Sequence, residues 1–257
     1  MTWHFIDTGL CEGEYNMMFD ERLARTLAPG TGIVRVYGWN PFAVSLGWNQ
    51  RNEEIDEREC RADGFDVVRR PTGGRAILHA EEVTYCVVMP AEGAGVLSTY
   101  HEISRSLLAG LHRLGVAASF EKSQPHFPTL YRSASSSVCF TSSARYEVQY
   151  RGKKLIGSAQ RRFIGEGGKE VVLQHGSLLV GPAHRGIARF LRVEDEQQRE
   201  WISRELNDRT TDLTAILGMP PNREHLVGCL KEGFEEAWDI RFLPPEPAEW
   251  MKSEQHS

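Results

Sequence analysis

Three strand-like segments, 145–150, 153–164 and 170–180, follow one another with only Arg151-Gly152 and residues 165–169, which hold a turn at Glu166-Gly167-Gly168, between them. Turns this short join antiparallel neighbours, because a parallel return needs a crossover of a dozen or more residues. The chain must therefore build a sheet around an antiparallel meander and pack its other elements onto it. Gly176 interrupts the last segment, inside Gln174-His175-Gly176-Ser177. A glycine within a strand marks close approach by another backbone or a ligand.

The rest of the pattern supplies strands and helices for that sheet. Trp3, Phe5 and Ile6 read as a short first strand, and Tyr15, Phe19, Leu23 and Leu27 recur every four residues as a helix that packs on a sheet and ends before Pro29-Gly30. Segments 32–37 and 42–47, joined at Trp39-Asn40-Pro41, read as an antiparallel pair. A charged helical connection over 52–62 leads to a strand at 66–70, and 82–89 returns as another with Cys86 in the core. Over 98–114, Ile103, Leu107, Leu111 and Leu114 form an apolar stripe behind a Thr99/Glu102 capping box, which leaves His101 and His112 in solvent. Helices at 182–192, 195–207 and 222–238 and a short strand at 240–242 follow. The expected class is α+β, with mixed and antiparallel sheets and packed helices, in one domain over 1–245 with a frayed tail over 246–257.

A formal net charge of −5 argues against wholesale nucleic-acid binding, which needs a basic surface. No run of about 18 apolar residues occurs and the N-terminus lacks a basic-then-apolar leader, so the expectation is a cytoplasmic protein without a membrane span. Five scattered cysteines have neither a disulfide framework nor Cys-x-x-Cys spacing, so reduced thiols and no metal site are expected. Cys11, Cys60 and Cys229 carry no functional signal.

Two stretches carry chemistry. Cys139 follows three serines in a long polar connection, 121–143, which also holds the lone His126; the thiol is either reachable by substrate or a small apolar filler. With an ordinary thiol pKa of about 8.5, little thiolate exists near neutrality unless cations favour it. Arg145, Arg151, Lys153, Lys154, Arg161 and Arg162 stand nearby in sequence against the single acid Glu147. That cluster is either a solvated face or a surface for an acidic or phosphate-bearing partner. The second stretch is Arg69-Arg70-Pro71-Thr72-Gly73-Gly74-Arg75, where paired glycines after a strand either admit a ligand to the backbone or make a plain turn. The standard nucleotide-binding glycine motifs are absent.

From Arg69 to His79 the sequence resembles the biotin/lipoate protein ligase superfamily, whose lipoate branch has an Arg-Arg-x-Ser/Thr-Gly-Gly loop ending near a histidine. The resemblance continues through Lys154-Leu155-Ile156-Gly157-Ser158-Ala159-Gln160, similar to the family's lysine motif, and through Leu173-Gln174-His175-Gly176-Ser177. Ser136-Ser137-Val138-Cys139-Phe140 resembles the acyl-accepting cysteine segment of the octanoyltransferases found in Gram-positive bacteria. The resemblance implies a ligase-like catalytic domain with Cys139 as nucleophile and Lys154 stabilising the oxyanion. Arg70, Thr72, Gly73, Gly74, Gly157, Ser158 and Ala159 would bind substrate; His79 would orient it, handle a proton or be structural, and His175 is a lesser candidate. Arg75 stands where ligases commonly have a third glycine, Ala144–Glu147 replaces their Gly-Arg-Asn-type segment, and Ala80 follows His79 where an Asp is more usual. The first two departures weaken an ATP-dependent reading.

The implied reaction moves octanoyl from octanoyl-acyl carrier protein to a lipoyl-domain lysine, on an acceptor such as glycine cleavage H protein or a 2-oxoacid dehydrogenase E2, in lipoate biosynthesis. It needs no cofactor. Alternatives are an ATP- and magnesium-using lipoate or octanoate ligase, an amidotransferase between lipoyl domains, and a non-catalytic lipoyl-domain binder.

Overall fold

The structure is a computed structural model and describes residues 1–120, 147–166 and 168–244. The chain begins β1 (Thr2–Cys11), α1 (Gly13–Arg25), β2 (Thr31–Trp39) and β3 (Ala43–Leu46). After a 3-10 turn come α2 (Glu57–Ala62), β4 (Asp66–Arg69), β5 (Ile77–His79), β6 (Glu82–Pro90), α3 (Val96–Arg113) and β7 (Ser119–Phe120). The meander is β8 (Val148–Tyr150), β9 (Lys153–Ile164) and β10 (Glu170–Leu179). A 3-10 turn at Pro182–Gly186 then leads to α4 (Ile187–Phe190), α5 (Glu196–Arg209), α6 (Leu213–Leu217), α7 (Arg223–Trp238) and β11 (Phe242–Leu243).

Eight strands form one sheet in the order β11-β1-β2-β6-β10-β9-β8-β7, and β4-β3-β5 form a second. The meander pairs antiparallel as its turns require. Two features depart from the expected pattern. Strands β2 and β3 are not a hairpin: β2 lies parallel to β1 and antiparallel to β6, whereas β3 joins β4 and β5 in the other sheet. The Asn40-Pro41 step carries the chain from one sheet to the other. The α3 capping box also fails to form, because the helix starts at Val96 after Gly95, and Thr99 lies inside it with its hydroxyl on the Gly95 carbonyl. Elsewhere side chains do cap: Asp56, Asp195, Asp212 and Asn222 each accept a first-turn amide hydrogen.

Period-two alternation divides the large sheet's faces between two cores. Val34, Val36, Val83, Tyr85 and Val87 face α3 and α7, where Ile103, Leu107, Leu230 and Phe234 are buried. Ile33, Tyr37, Trp39, Cys86 and Leu173 face α1 with Phe19 and Leu23. A third core, with Val44, Leu46, Leu78, Phe190 and Leu206, holds the small sheet to α4 and α5. Burying one such large side chain contributes about 1.5–3 kcal/mol. The small sheet lies across the α1 face of the large one, and the space between them holds the site.

Candidate active site

A narrow slot of about 350 Å³, including its mouth, opens between the sheets. One wall is the large sheet, through Tyr37 and Trp39 on β2, Thr84 on β6, Gly157, Ser158 and Ala159 on β9, and His175, Gly176 and Ser177 on β10. Met17 of α1 closes one end. The facing wall is Arg70, Ile77 and His79 from the small sheet and its turn. The structure thus brings the Arg70–His79 stretch and the Gly157–Ala159 stretch together, although about 80 residues separate them in sequence.

Arg70 organises the glycine turn. Its Nη1 donates to the Ser45 carbonyl and hydroxyl, both at 3.0 Å, its Nη2 donates to the carbonyls of Gly73 at 2.9 Å and Arg75 at 2.7 Å, and its Nε reaches Gly73 at 3.2 Å. The Gly74 N–H, trans to the Gly73 carbonyl across one peptide, therefore points away from Arg70. Arg161 Nη1 donates to the Pro71 carbonyl at 2.9 Å, and the Trp48 amide to that of Thr72 at 2.8 Å. Gly74 has φ of 100°, and its carbonyl sits so close to Gly47 that a Cβ there would collide with it. Gly73 has open space around it. Arg161 also stacks on half-exposed Trp48, its guanidinium 4.1 Å from the ring centroid.

His79 is fully engaged. Its ring stacks on Trp39 at 4.0 Å between centroids, Nε2 lies 2.7 Å from Ser45 Oγ, and Nδ1 lies 2.9 Å from Glu82 Oε1. Glu82 Oε1 also accepts from Ser177 Oγ at 2.8 Å and from Thr84 Oγ1, which in turn accepts from Trp39 Nε1. On the other face of the sheet Tyr85, Gly176 and Ser158 occupy one rung. The Tyr85 phenol crosses the glycine to donate to Ser158 Oγ at 2.6 Å, and Gln174 Nε2 donates to the phenol oxygen at 3.0 Å. A Cβ on Gly176 would meet Ser158 Oγ at 2.7 Å and the Tyr85 ring at 2.8 Å, so the close approach expected at this glycine is there. Burial pushes the Tyr85 phenol up to about 12, which keeps it a hydrogen donor.

Lys154 is not among the residues lining the slot. Its ammonium donates to Glu147 at 2.7 Å, with 5% and 4% of the two side chains exposed. The pair sits beside a β-bulge, where Lys154 to Ile156 spans a single step of β8 and both Leu155 and Ile156 enter the first core. Strand parity therefore changes between Lys154 and the Gly157–Ala159 segment. Among the described residues the cations of the meander do not form one patch. Arg151 is exposed at the β8–β9 turn, Lys153 donates to the Asn207 carbonyl, and Arg161 and Arg162 lie at the far end of a strand about 40 Å long.

Cys139, with His126 and Arg145, lies outside the described residues. Burial raises the thiol pKa of Cys60, to about 11, and of Cys86 and Cys229, so these three are held as thiols, and the Cys11 Sγ rests on the Thr8 carbonyl. Sequence reasoning missed Asp20, Arg35, Ser45 and Glu82. For Asp20 there was a signal: with Asn16 it forms an i,i+4 polar pair on the buried face of α1, among Phe19, Leu23 and Ala24. Such a pair has to find partners in the sheet it packs on.

Comparisons with known proteins identify the relatives of the chain. The model of the lipoyl protein ligase A/B catalytic domain matches residues 12–235. The chain is 37% identical over 252 residues to octanoyltransferase LipM of Kyrpidia tusciae, covering 95% of this chain and 90% of that protein. It is 40% identical over 261 residues to octanoyltransferase LipM of Staphylococcus aureus, covering 98% and 93%. Among solved structures, a bipartite lipoate protein ligase from Thermoplasma acidophilum superposes with a TM-score of 0.77 at 21% identity, covering 98% of this chain and 90% of that one. Lipoate-protein ligase A bound with ATP gives 0.76 at 21% identity, covering 98% and 92%. The two structures share the fold, and the sequence relatives fix the branch: the chain belongs to the lipoyl protein ligase A/B catalytic-domain family, among its octanoyltransferases.

Proposed function

We propose that this octanoyltransferase takes its acyl group from octanoyl-acyl carrier protein, holds it as a thioester on Cys139 and passes it to a lysine of a lipoyl domain. The observation that carries the reading is the joint one of octanoyltransferase relatives spanning nearly the whole chain and a slot formed by the Arg70–His79 and Gly157–Ala159 stretches. The Cys139 thiolate attacks the donor thioester carbonyl, the tetrahedral intermediate expels the carrier thiolate, and an octanoyl-enzyme remains. The acceptor amine then attacks that carbonyl, the C–S bond breaks, and the proton shed by nitrogen returns to the Cys139 sulfur. The first step exchanges one thioester for another, so no ATP is consumed.

Lys154, bonded to Glu147 and outside the slot lining, would stabilise the oxyanion in both steps only by turning from Glu147 to the acyl carbonyl, electrostatic help of about 2.7–4 kcal/mol for one good donor. Glu147 accepts from that amine at 2.7 Å, with both side chains buried. The acceptor reading draws support from a fold neighbour described together with its E2 lipoyl domain.

The test is the intact mass of the protein after incubation with octanoyl-acyl carrier protein, without ATP, beside Cys139→Ser. The expected result is a thiol-labile octanoyl adduct on the wild type alone. Acylation of a lipoyl domain that appears only with ATP and free octanoate or lipoate would replace this reading with that of a ligase.

A further inference from the structure

Asp20 lies on α1 with its carboxylate wholly buried. Oδ1 accepts from Arg35 Nη1 at 2.7 Å and Oδ2 from the Tyr37 hydroxyl at 2.8 Å. Oδ2 is also 3.0 Å from His175 Nδ1, and the opposite ring nitrogen, Nε2, is 2.6 Å from Thr72 Oγ1. With the carboxylate ionised and the ring neutral, these contacts leave one direction for every bond. An ionised carboxylate can only accept, so Nδ1 carries a hydrogen; a neutral imidazole has one N–H, so Nε2 accepts and the Thr72 hydroxyl donates. Burial keeps the ring neutral, lowering its pKa against the opposing pull of Asp20. The chain of bonds starts on α1, passes through β10 of the large sheet and ends on the turn that follows β4 of the small sheet. It therefore ties together the two bodies between which the slot opens. Thr72 itself is wholly buried, which rules it out as a nucleophile and leaves it a fastening point for the turn.

We propose that Asp20 is a positioning residue for acyl transfer: through the Nδ1–H tautomer of His175 it fixes Thr72, and with it the Pro71–Arg75 turn, against the wall of the slot. The inference rests on the octanoyl-transfer reading. A carboxylate that merely balanced Arg35 would have no effect on the tautomer of His175 or on the turn. Asp20→Asn also removes the charge opposite Arg35, so the His175 tautomer, and not stability, is the readout that separates the two roles. An amide N–H turned toward His175 makes Nδ1 the acceptor, moves the hydrogen to Nε2 and forces the Thr72 hydroxyl to turn away.

The experiment combines histidine ¹⁵N spectra with steady-state kinetics, the His175 signals being assigned with His175→Gln. The wild type is expected to show Nδ1–H and Asp20→Asn to show Nε2–H. The kcat of Asp20→Asn should fall about 10- to 100-fold, the cost of a small displacement at a reacting centre, with KM for the octanoyl donor little changed. Thr72→Val should lose as much, Thr72→Ser should recover it, and the double variant Asp20→Asn/Thr72→Val should fall no further than either single one. Wild-type kcat in Thr72→Val, multiplying losses in the double variant, or an Nε2–H signal in the wild type would each overturn the proposal. If Asp20→Asn does not fold, the Val and Ser variants at Thr72 decide the matter. A wild type with no octanoyl transfer at all would bring down the functional reading and the proposal with it, whereas an active wild type beside an unaffected Thr72→Val brings down the proposal alone.

Discussion

Arg35 is wholly buried in the middle of β2, where hydrophobic alternation alone would put an aliphatic side chain. Its charge is offset by Asp20 and spread over the rings of Tyr37, 3.9 Å away, and Phe19, 4.5 Å away. Arg35→Met leaves the carboxylate without its counter-ion, and urea unfolding near neutral pH should show a loss of about 3–5 kcal/mol, the usual cost of breaking a buried pair from one side. Burial pushes the Asp20 carboxyl up, but Arg35, His175 and Tyr37 outweigh it, and its pKa lies below the ordinary value. A depressed carboxyl contributes stability that is present above its unfolded value near 3.8 and is lost as pH falls through the lower folded one. The difference between wild type and Arg35→Met should therefore narrow in acid. A constant difference down to that range would mean that Asp20 contributes nothing by being ionised.

The 3-10 turn at Pro182–Gly186 is fastened to the end of α5 through His184, whose Nε2 lies 2.8 Å from Thr210 Oγ1 and whose Nδ1 lies 3.2 Å from the Gly181 carbonyl. Burial pushes this histidine down to about 4. Between that value and about 6.5 the unfolded chain binds a proton that the folded one refuses, so stability falls as pH drops through this window, by about 3 kcal/mol in all. In His184→Gln the slope of stability against pH should flatten between pH 6.5 and 4, read by chemical denaturation at a series of pH values. At this scale much of the fold was legible: the meander, α3 and α7 declare themselves through local periodicity and glycine turns. The pairing of β2 and β3 was not, because Trp39-Asn40-Pro41 signals a turn but says nothing about which sheet receives the next strand. The same limit applies to the site. The Arg70–Gly74 turn is visible because its glycines are adjacent, and Asp20 shows as a polar residue on an apolar helix face, but its partner His175 does not; Ser45 and Glu82 become meaningful only beside Arg70 and His79, which folding brings to them.

Across the whole molecule β10 is the shared member: Leu178 belongs to the first core, Leu179 to the one under the small sheet, and Leu173 to the one under α1. Chains of this size often unfold in stages. Here a strand common to all three cores predicts that far-UV circular dichroism and tryptophan fluorescence trace one coincident urea transition; separated midpoints would show that the small sheet melts on its own. Strand order at the other edge matters at a different time. Trp3 and His4 in β1 pair with β2 on one side and with Phe242 and Leu243 on the other. On the ribosome, a nascent chain can therefore assemble β1, α1 and β2 early, but the flank of β1 at Trp3 and His4 stays bare until Phe242 and Leu243 have been translated. Polysomes would hold many such bare edges close together, each able to recruit a neighbour. The two-residue β11 serves as a late-arriving guard, and a chaperone that shields β1 during translation would protect this protein more than one that acts after release.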